Sequence, residues 1–325
     1  MYLQQSNSGF ISVVITAFNR RKYLLRAIMS VLSQDLNRGL YEILVIKNFQ
    51  DQDIDSFCIH NEVKVLTTED LSIGEYIKMA YLEARGSLIV FLDDDDYFTP
   101  NKLSRVYNIF ITDSEVVYYH HNRIFIDESG KVLKDWYKPL LFIGFSDDVL
   151  KLIKSLTKDF SFGSLFHNTS SIAIRKEVLE SVFQILNRIT YDPDGLLFFS
   201  ALSLNKKMVF NDDKLTYYLV HDSSSQILAT DRNLALEKLS KNYIENIRSL
   251  QFIAYNVNNS EIRKIIECRI NNLIITGLFK TRMNSFNMKR SELLLRTLKC
   301  IRNRPGNILR KIKESVGDSL RVLLK

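Results

Sequence analysis

Three residue types that shape specialised folds are scarce in this sequence. Its 325 residues include only 3 cysteines, 4 prolines and 11 glycines. Cys58, Cys268 and Cys300 lie far apart and form no C-x-x-C pair, which argues against a disulfide framework and a cysteine zinc site and favours a reducing cytosol. With 46% hydrophobic residues, the sequence is that of an ordinary globular protein, long enough for one large domain with an accessory region or for two domains.

Long hydrophobic runs are also missing. Apolar stretches such as 11–18 and 88–92 are much shorter than the ~20 residues that a membrane-spanning helix needs. The first residues show no basic region followed by an apolar signal core. We therefore expect no transmembrane segment, no export and a cytoplasmic location.

The net charge of +7 is unevenly distributed along the chain. Residues 1–231 contain 24 basic and 30 acidic residues, whereas residues 232–325 contain 20 basic and 7 acidic ones. A basic region of this kind suits nucleic acid, an anionic membrane or an acidic partner. It carries no zinc finger, aromatic platform or other recognised nucleic-acid-binding module, so no nucleic-acid partner is expected.

Two amphipathic helices are predicted within this basic region. Apolar residues recur at helical spacing in 294–301 and, after Pro305-Gly306, in 308–323, with lysine and arginine between them. Basic amphipathic helices can lie in the interface of an anionic membrane, which would make the protein peripheral on the inner face. The alternative is that both helices pack on the core or on a second subunit with their basic side chains in water, and the sequence leaves the two open.

The first part of the chain alternates short apolar runs with helical patterns. This alternation predicts an α/β fold with a parallel sheet covered on both faces, and a ligand site beyond the carboxyl ends of the strands. Strands are predicted at 11–18, 41–46, 63–66 and 87–92, and helices at 20–34, 73–85 and 101–111. Three further strands are predicted at 116–120, 123–126 and 131–136, with a turn at 127–130.

Four consecutive aspartates, Asp93 to Asp96, directly follow the predicted strand 87–92. Like charges in sequence repel one another, so the run is costly unless water, a cation or a basic partner neutralises it. Carboxylate oxygens suit Mg²⁺ or Mn²⁺, which share their coordination shell with water and a phosphate-bearing substrate. The run therefore predicts a site for a metal-bound phosphorylated compound, and Asn19 and Asn48 fall at neighbouring strand ends.

Two segments match the pattern of a known family. The segment Ser12-Val13-Val14-Ile15-Thr16-Ala17-Phe18-Asn19-Arg20 resembles the opening strand of family 2 glycosyltransferases of the GT-A fold. Phe91 to Asp96, with Pro100-Asn101-Lys102-Leu103, resembles their metal-binding D-x-D segment. The resemblance covers about residues 10–225 and implies a Rossmann-like GT-A domain over 1–230, followed by a basic, amphipathic helical region over 231–325.

The resemblance also implies an activity and a set of site residues. Such enzymes move a sugar from a nucleotide diphosphate sugar to an acceptor hydroxyl with inversion, and a divalent cation neutralises the leaving diphosphate. The residues expected to contact the donor are Thr16, Phe18, Asn19, Asn48, Asp93 and Asp94. Those expected to hold Mn²⁺ or Mg²⁺ are Asp95, Asp93 and His221, although a histidine after a strand can equally be a hydrogen-bonded structural residue.

A catalytic base is expected in the segment Tyr191 to Phe198, which resembles the acidic segment that supplies the base in this family. Pro193 stands where the family usually has the first acid, which leaves Asp194 as the preferred base and Asp192 as the reserve. The alternative is that both aspartates only cap the helix that follows.

The segment after the second strand departs from the family pattern. Lys47 and Asn48 stand where an aspartate-rich turn is usual, so a hydrogen bond from Asn48 to the base and attraction of phosphate by Lys47 are expected instead. A UDP-sugar donor is favoured by the family alone, and the acceptor is a glycan or a lipid-linked precursor.

Other protein classes also use aspartate clusters. Prenyl diphosphate enzymes carry D-D-x-x-D on long helices, and haloacid dehalogenase phosphatases carry D-x-D-x-T after the first strand. Neither fits an acidic run that follows the fourth predicted strand and has Tyr97 at its fifth position. A noncatalytic nucleotide-sugar or glycan-binding protein that retains the GT-A fold stays open.

Overall fold

The protein is built around one mixed β-sheet. The computed structural model describes residues 9–69, 71–134, 140–155, 165–221 and 232–281, and within them nine strands join in this sheet. The strands are β1 (Ile11–Ala17), β2 (Tyr41–Lys47), β3 (Lys64–Thr67), β4 (Leu88–Asp93), β5 (Tyr97–Phe98), β6 (Val116–Ile126), β7 (Phe142–Phe145), β8 (Ile172–Arg175) and β9 (Lys207–Leu219).

Helices cover both faces of the sheet. They are α1 (Leu24–Leu32), α2 (Gln52–His60), α3 (Ile73–Glu83), α4 (Lys102–Thr112), α5 (Ser146–Ser155), α6 (Glu177–Glu180), α7 (Pro193–Ser203), α8 (Arg232–Asn256) and α9 (Ser260–Thr281). In β1, Val13 and Ile15 belong to one hydrophobic core and Val14 to the other, as expected for a strand buried on both faces. The first core includes α1, α2 and α4, and the second includes α3 and α5 to α9.

The strand order is β3-β2-β1-β4-β8-β6-β9-β5, with β7 paired to β9. β1 runs parallel to both β2 and β4, so the carboxyl ends of these three strands meet at one edge of the sheet. The register places Ala17 beside Lys47 and Thr16 beside Asp93. Ligand sites in sheets of this type lie just outside that edge.

The predicted α/β class is confirmed, and β1 to β4 pair in parallel as expected, but the pairs β4–β8, β6–β8, β5–β9 and β7–β9 are antiparallel and several element boundaries differ. The helix expected at 20–34 begins only at Leu24, because Asn19 has a positive φ of 55° and the chain turns there. The two strands expected at 116–120 and 123–126 are the single strand β6, whose register against β9 shifts on both sides of Asn122.

The structure contains helix α2, which was not predicted from the sequence. Of the strand expected at 131–136, residues 131–134 are described and contain one isolated bridge, between Val132 and Ile126. The amphipathic helices expected in 294–301 and 308–323 lie outside the described residues.

The two long C-terminal helices pack on the rest of the protein. Ile247 and Leu250 of α8, with Ile262 and Ile266 of α9, are buried in the same hydrophobic core as α7. The described helices include none with the length and apolar character that crossing a bilayer requires. Residues 232–281 therefore form part of the structural support of α7.

Gly74 is a tight packing point in α3 near the loop that leads to α7. Its N–H donates to the carbonyl of Ile189 at 3.0 Å, and a Cβ at this position would lie 1.9 Å from the carbonyl oxygen of Leu186. Backbone atoms cannot move away as the end of a side chain can, so a Cβ at this position would force the backbone to shift.

We expect Gly74→Ala to lower the free energy of unfolding by about 3 kcal/mol, through overpacking that outweighs the helix propensity of alanine. Gly39→Ala is the matched control, because its Cβ would meet only Asn37 Oδ1, at 3.2 Å. The control should change stability by less than about 0.5 kcal/mol. Urea unfolding of both variants measures the difference, and equal stabilities would contradict the packing argument.

Candidate active site

Two asparagines join the ends of β1 and β2. The backbone N–H of Asn19 donates to Oδ1 of Asn48 at 2.8 Å, and Nδ2 of Asn48 donates to Oδ1 of Asn19 at 3.0 Å. Asparagine tolerates the left-handed conformation found at Asn19, so the residue type suits this turn. The structure thus brings together two of the residues expected to contact a donor.

The other residues expected to contact a donor on β1 face the same edge. Thr16 is partly buried and lies beside Asp93 in the neighbouring strand. Phe18 is 48% exposed, with its ring edge-on to Tyr76 at 6.5 Å between centroids. An exposed aromatic ring next to this edge is available to pack against a ligand.

The aspartate run forms a tight turn at the end of β4. Asp93 is the last residue of the strand, and its carbonyl accepts the N–H of Asp96 at 3.1 Å. Asp96 is buried and accepts from Asn168 Nδ2 at 2.6 Å and from the N–H of Leu219 at 3.1 Å. These bonds give Asp96 a structural role as the anchor of the turn.

Arg20 and His221 contact the two middle aspartates. Asp94 is fully buried and accepts from Nε of Arg20 at 3.2 Å and also from Nη2. Oδ2 of Asp95 accepts from Nη1 of Arg20 and lies 3.0 Å from Nε2 of His221. Arg20 therefore bridges Asp94 and Asp95, and His221 reaches Asp95 from another side.

Negative charge exceeds positive charge around this turn. Burial raises the pKa of Asp94 to about 8 although Arg20 opposes the shift, and burial together with Asp95 raises the pKa of Asp96 to about 7. Burial, and then Asp96 and Asp95, raises the pKa of Asp93 well above its ordinary value. Lys102 is fully buried nearby and donates from Nζ to the carbonyl of Ser170. An added cation would lower the electrostatic cost of this cluster.

The donor atoms of the cluster fit a divalent cation. Asp95 and His221 place a carboxylate oxygen and an imidazole nitrogen side by side, a combination that suits Mn²⁺, and Asp93 adds oxygens at the end of β4. In the part of the chain that the structure describes, no three histidine, cysteine or acidic side chains already enclose a metal position. Mg²⁺ and Mn²⁺ bound with a nucleotide need only one or two protein carboxylates, since phosphate and water complete the shell.

Asp194 is the second residue of α7 and is buried. Oδ1 accepts from Thr169 Oγ1 at 2.8 Å, and Oδ2 lies 3.0 Å from Nδ1 of His167. Burial alone would raise the pKa of Asp194, but the hydrogen bond and charge of His167, with the bond from Thr169, hold it below its ordinary value. The charge of Asp194 also contributes to the raised pKa of Asp93, which places the two carboxylates in one electrostatic environment.

Asp192 has a different environment. It is the N-cap of α7 in a left-handed conformation, and Oδ1 accepts from the N–H of Gly195 at 3.2 Å. Oδ2 accepts from Nη2 of Arg269 on α9 at 2.8 Å, in an ion pair whose side chains are only 2% and 13% exposed. Asp192 thus caps α7, as the alternative reading of this segment expected, and Asp194 instead faces His167 and Thr169.

Residues 167–171, here called the bridging segment, connect the two acidic groups. Asn168 binds Asp96, Thr169 binds Asp194, and Ser170 Oγ accepts the N–H of Asp93 at 3.0 Å. The carbonyl of His167 accepts from Nε2 of His120 at 2.9 Å and from Nη1 of Arg123. The bridging segment is therefore held by both acidic groups and by β6.

The structure corrects one sequence-based expectation and adds residues that the sequence did not identify. Lys47 cannot attract phosphate, because it is fully buried and its Nζ pairs with Asp55 of α2 at 3.0 Å. Arg20 was part of the family motif without a role, His167 was interpreted at best as a pocket-lining residue, and residues 168–171 had no recognised pattern. A polar run before the buried strand β8 was the available signal for the bridging segment, but it is typical of many loops.

Comparisons with known proteins agree with this fold. The model of the family Glycosyl transferase family 2 matches residues 12–183. An uncharacterized glycosyltransferase of Nostoc sp. is 29% identical over 249 residues, 72% of this chain and 72% of that protein. An uncharacterized glycosyltransferase of Methanocaldococcus jannaschii is 28% identical over 147 residues, 42% of this chain and 48% of that protein.

Solved structures share the fold. S. aureus TarS in complex with UDP is 16% identical, with a TM-score of 0.53 over 92% of this chain and 82% of that one. Its complex with UDP-GlcNAc is 16% identical, with a TM-score of 0.53 over 95% of this chain and 92% of that one. The fold and the acidic turn define a glycosyltransferase of the GT-A class. The chain belongs to glycosyltransferase family 2, which confirms the resemblance seen in its sequence.

We expect Arg269→Gln to lower the free energy of unfolding by about 3 kcal/mol, because it leaves the buried carboxylate of Asp192 without its partner. Asp192→Asn in the same background should restore part of the loss, since asparagine keeps the cap, tolerates the left-handed conformation and removes the charge. Urea unfolding of the wild type, both single variants and the double variant measures the coupling. Strictly additive losses would show that the two side chains do not interact.

Proposed function

We propose that the protein is an inverting glycosyltransferase that moves a sugar from a UDP-sugar to an acceptor hydroxyl with the help of Mn²⁺ or Mg²⁺. The observation that carries this proposal is that one short segment, residues 167–171, binds two acidic sites. The turn of Asp93 to Asp96 lies at the carboxyl ends of the parallel strands, and Asp194 lies across the bridging segment from it.

We assign donor binding to the carboxyl ends of β1, β2 and β4. The paired amides of Asn19 and Asn48 offer hydrogen-bonding groups for a base or ribose, and the exposed ring of Phe18 offers an apolar contact. The structural relatives bind UDP and UDP-GlcNAc, which supports a UDP-sugar as donor.

Asp95 and His221, with Asp93 adjacent, are the residues that would hold the divalent cation. A cation there supplies Lewis-acid stabilisation of the charge that develops on the leaving diphosphate. Arg20 pairs with Asp94 and Asp95, so a cation held by Asp95 and His221 would bind beside this guanidinium. Burial lowers the pKa of Lys102 well below its ordinary value, so this lysine adds little positive charge to the turn.

Activation of the acceptor depends on Asp194 in this proposal. Inversion by direct displacement requires a base on the face of the sugar opposite the leaving group. Asp194 is hydrogen-bonded to His167, whose side chain is 43% exposed, whereas the Asp192 side chain is 2% exposed and its oxygens are engaged by the helix cap and Arg269. Asp194 is therefore assigned to acceptor activation, and Asp192 to holding α7 in place.

The central test separates donor binding from turnover. Asp95→Asn is expected to weaken Mn²⁺-dependent UDP binding at least tenfold, because it removes the carboxylate that contacts His221. Asp194→Asn should keep that binding and lose about 10²–10⁴-fold in turnover. Calorimetric titration of UDP with Mn²⁺ and UDP release from UDP-N-acetylglucosamine measure the two quantities.

Asp213→Asn, on β9 and paired with Arg105, is the matched carboxylate control and should change neither quantity. UDP binding that is independent of divalent cations in the wild type would contradict the metal-assisted mechanism. Firm UDP binding without turnover of any UDP-sugar would favour the alternative of a noncatalytic binding protein that retains this fold.

The acceptor is proposed to be a glycan or a lipid-linked precursor reached at a membrane surface. Support for this location comes from the charge of residues 232–325, with 20 basic and 7 acidic residues, and from the amphipathic pattern of 308–323. A cytoplasmic protein held on the inner face by this region would meet acceptors anchored in the bilayer.

We expect replacement of Arg310, Lys311, Lys313 and Arg321 by glutamine to reduce binding to anionic vesicles by about 10²–10³-fold, since each basic residue near such a surface contributes about 1 kcal/mol. Co-flotation with phosphatidylserine vesicles at about 0.15 M salt measures binding, and phosphatidylcholine vesicles are the control. Equal flotation of the wild type and the variant with anionic vesicles would show that the basic residues of 308–323 do not hold the protein on the membrane.

A further inference from the structure

His167 stands between the carboxylate of Asp194 and solvent. Its Nδ1 lies 3.0 Å from Oδ2 of Asp194, and the His167 side chain is 43% exposed whereas that of Asp194 is 12% exposed. The other carboxylate oxygen of Asp194 accepts from Thr169. An acceptor entering from solvent therefore meets the imidazole more readily than the carboxylate.

The hydrogen bond between these side chains determines the form of the imidazole. An ionised carboxylate can only accept hydrogen bonds, so Nδ1 of His167 must carry the hydrogen. In a neutral imidazole the second nitrogen, Nε2, then carries a lone pair. Among the residues that the structure describes, Nε2 of His167 has no hydrogen-bond partner. The nitrogen that could take a proton is thus the one left available.

The position of His167 is fixed by its backbone as well as by Asp194. His120 and Arg123, both on β6, donate to its carbonyl oxygen, and the next residue, Asn168, binds Asp96. The ring also lies against Phe166, at 5.2 Å between centroids. These contacts hold the imidazole in place before any ligand binds, as efficient proton transfer requires.

The carboxylate by itself is poorly placed for the task. Both of its oxygens are already engaged, Oδ1 by Thr169 and Oδ2 by His167, and its side chain is only 12% exposed. An imidazole is the side chain whose ordinary proton affinity matches neutral pH. A carboxylate that orients an imidazole and stabilises its positive form is an effective arrangement.

We propose that His167 is the catalytic base of the proposed transfer reaction, and that Asp194 is the positioning residue that orients it. This inference rests on the function proposed above. The acceptor hydroxyl gives its proton to Nε2 of His167 as its oxygen forms the new bond to the anomeric carbon. The bond from that carbon to the diphosphate breaks, and its electron pair leaves on the diphosphate oxygen. The imidazolium is stabilised by Asp194 and afterwards releases the proton to water.

Chemical rescue tests this assignment. We expect His167→Ala to lower UDP release from UDP-N-acetylglucosamine about 10²–10³-fold, with water as the acceptor and Mg²⁺ as the cation. Added imidazole should raise the rate of UDP release by this variant at least tenfold, because the half-exposed site can admit it. Rescue should disappear in His167→Ala/Asp194→Asn, where nothing orients the added imidazole. Full activity of His167→Ala would overturn the proposal.

Controls distinguish a lost base from a lost fold. His60→Ala, at the exposed end of α2, should keep wild-type activity and show no response to imidazole. UDP binding by His167→Ala should equal that of the wild type. A variant that binds UDP normally, has lost turnover and gains nothing from imidazole would also overturn the assignment, since it would make His167 a structural residue only.

A spectroscopic measurement tests the pair without any turnover. In protein labelled with ¹⁵N-histidine, the His167 resonances, assigned with His167→Gln, should report hydrogen on Nδ1 and a lone pair on Nε2 at neutral pH. Asp194→Asn should shift the tautomer balance. Hydrogen mainly on Nε2 in the wild type would refute the pair. If the tautomer is as expected but no UDP-sugar is turned over, the proposed function fails and the His167–Asp194 contact stands.

Discussion

The concentration of carboxylates at the end of β4 is the constraint on which the rest of the site depends. Asp93 to Asp96 must be held close together in a partly dry environment, where each charge disfavours the others. The fold meets part of this cost with Arg20, which pairs with Asp94 and Asp95. A divalent cation and the diphosphate that it carries would complete the balance. The site is therefore arranged so that binding of its ligands relieves an electrostatic cost already present in the protein.

The bridging segment fixes the two acidic groups relative to each other. It fixes Asp96 through Asn168 and Asp194 through Thr169, so the distance between the aspartate turn and Asp194 is set by one short stretch of backbone. Its carbonyl groups accept from Arg123 and Lys102, which ties it to β6 and α4. A shift of this segment would move both acidic groups together. For this reason the geometry of the site depends on loop contacts as much as on the sheet.

Much of the fold could be predicted from the sequence, and part of the site could as well. Short apolar runs at 11–18 and 87–92 predict strands buried on both faces, because a strand with one face in water would alternate apolar and polar residues. The aspartate turn and the Asn19–Asn48 pair follow, because parallel strands end at one edge. Lys47 shows the limit, since its pairing with Asp55 depends on α2, which the sequence pattern did not reveal. The partners of Asp192 and Asp194 come from α9 and the bridging segment, both distant in sequence.

The two aspartates at the start of α7 show how tertiary contacts separate residues of identical chemistry. Asp192 is buried against Arg269 and caps the helix, so its charge is used to hold α7 against α9. Asp194 is two positions further along the helix, and its oxygens face Thr169 and His167 instead. Thr190 and Tyr191, just before them, are bound by Glu245 and Ser249 of α8. The C-terminal helices therefore determine where α7 begins and, through that, where Asp194 points. A displacement of α8 and α9 would therefore also displace the start of α7 and Asp194.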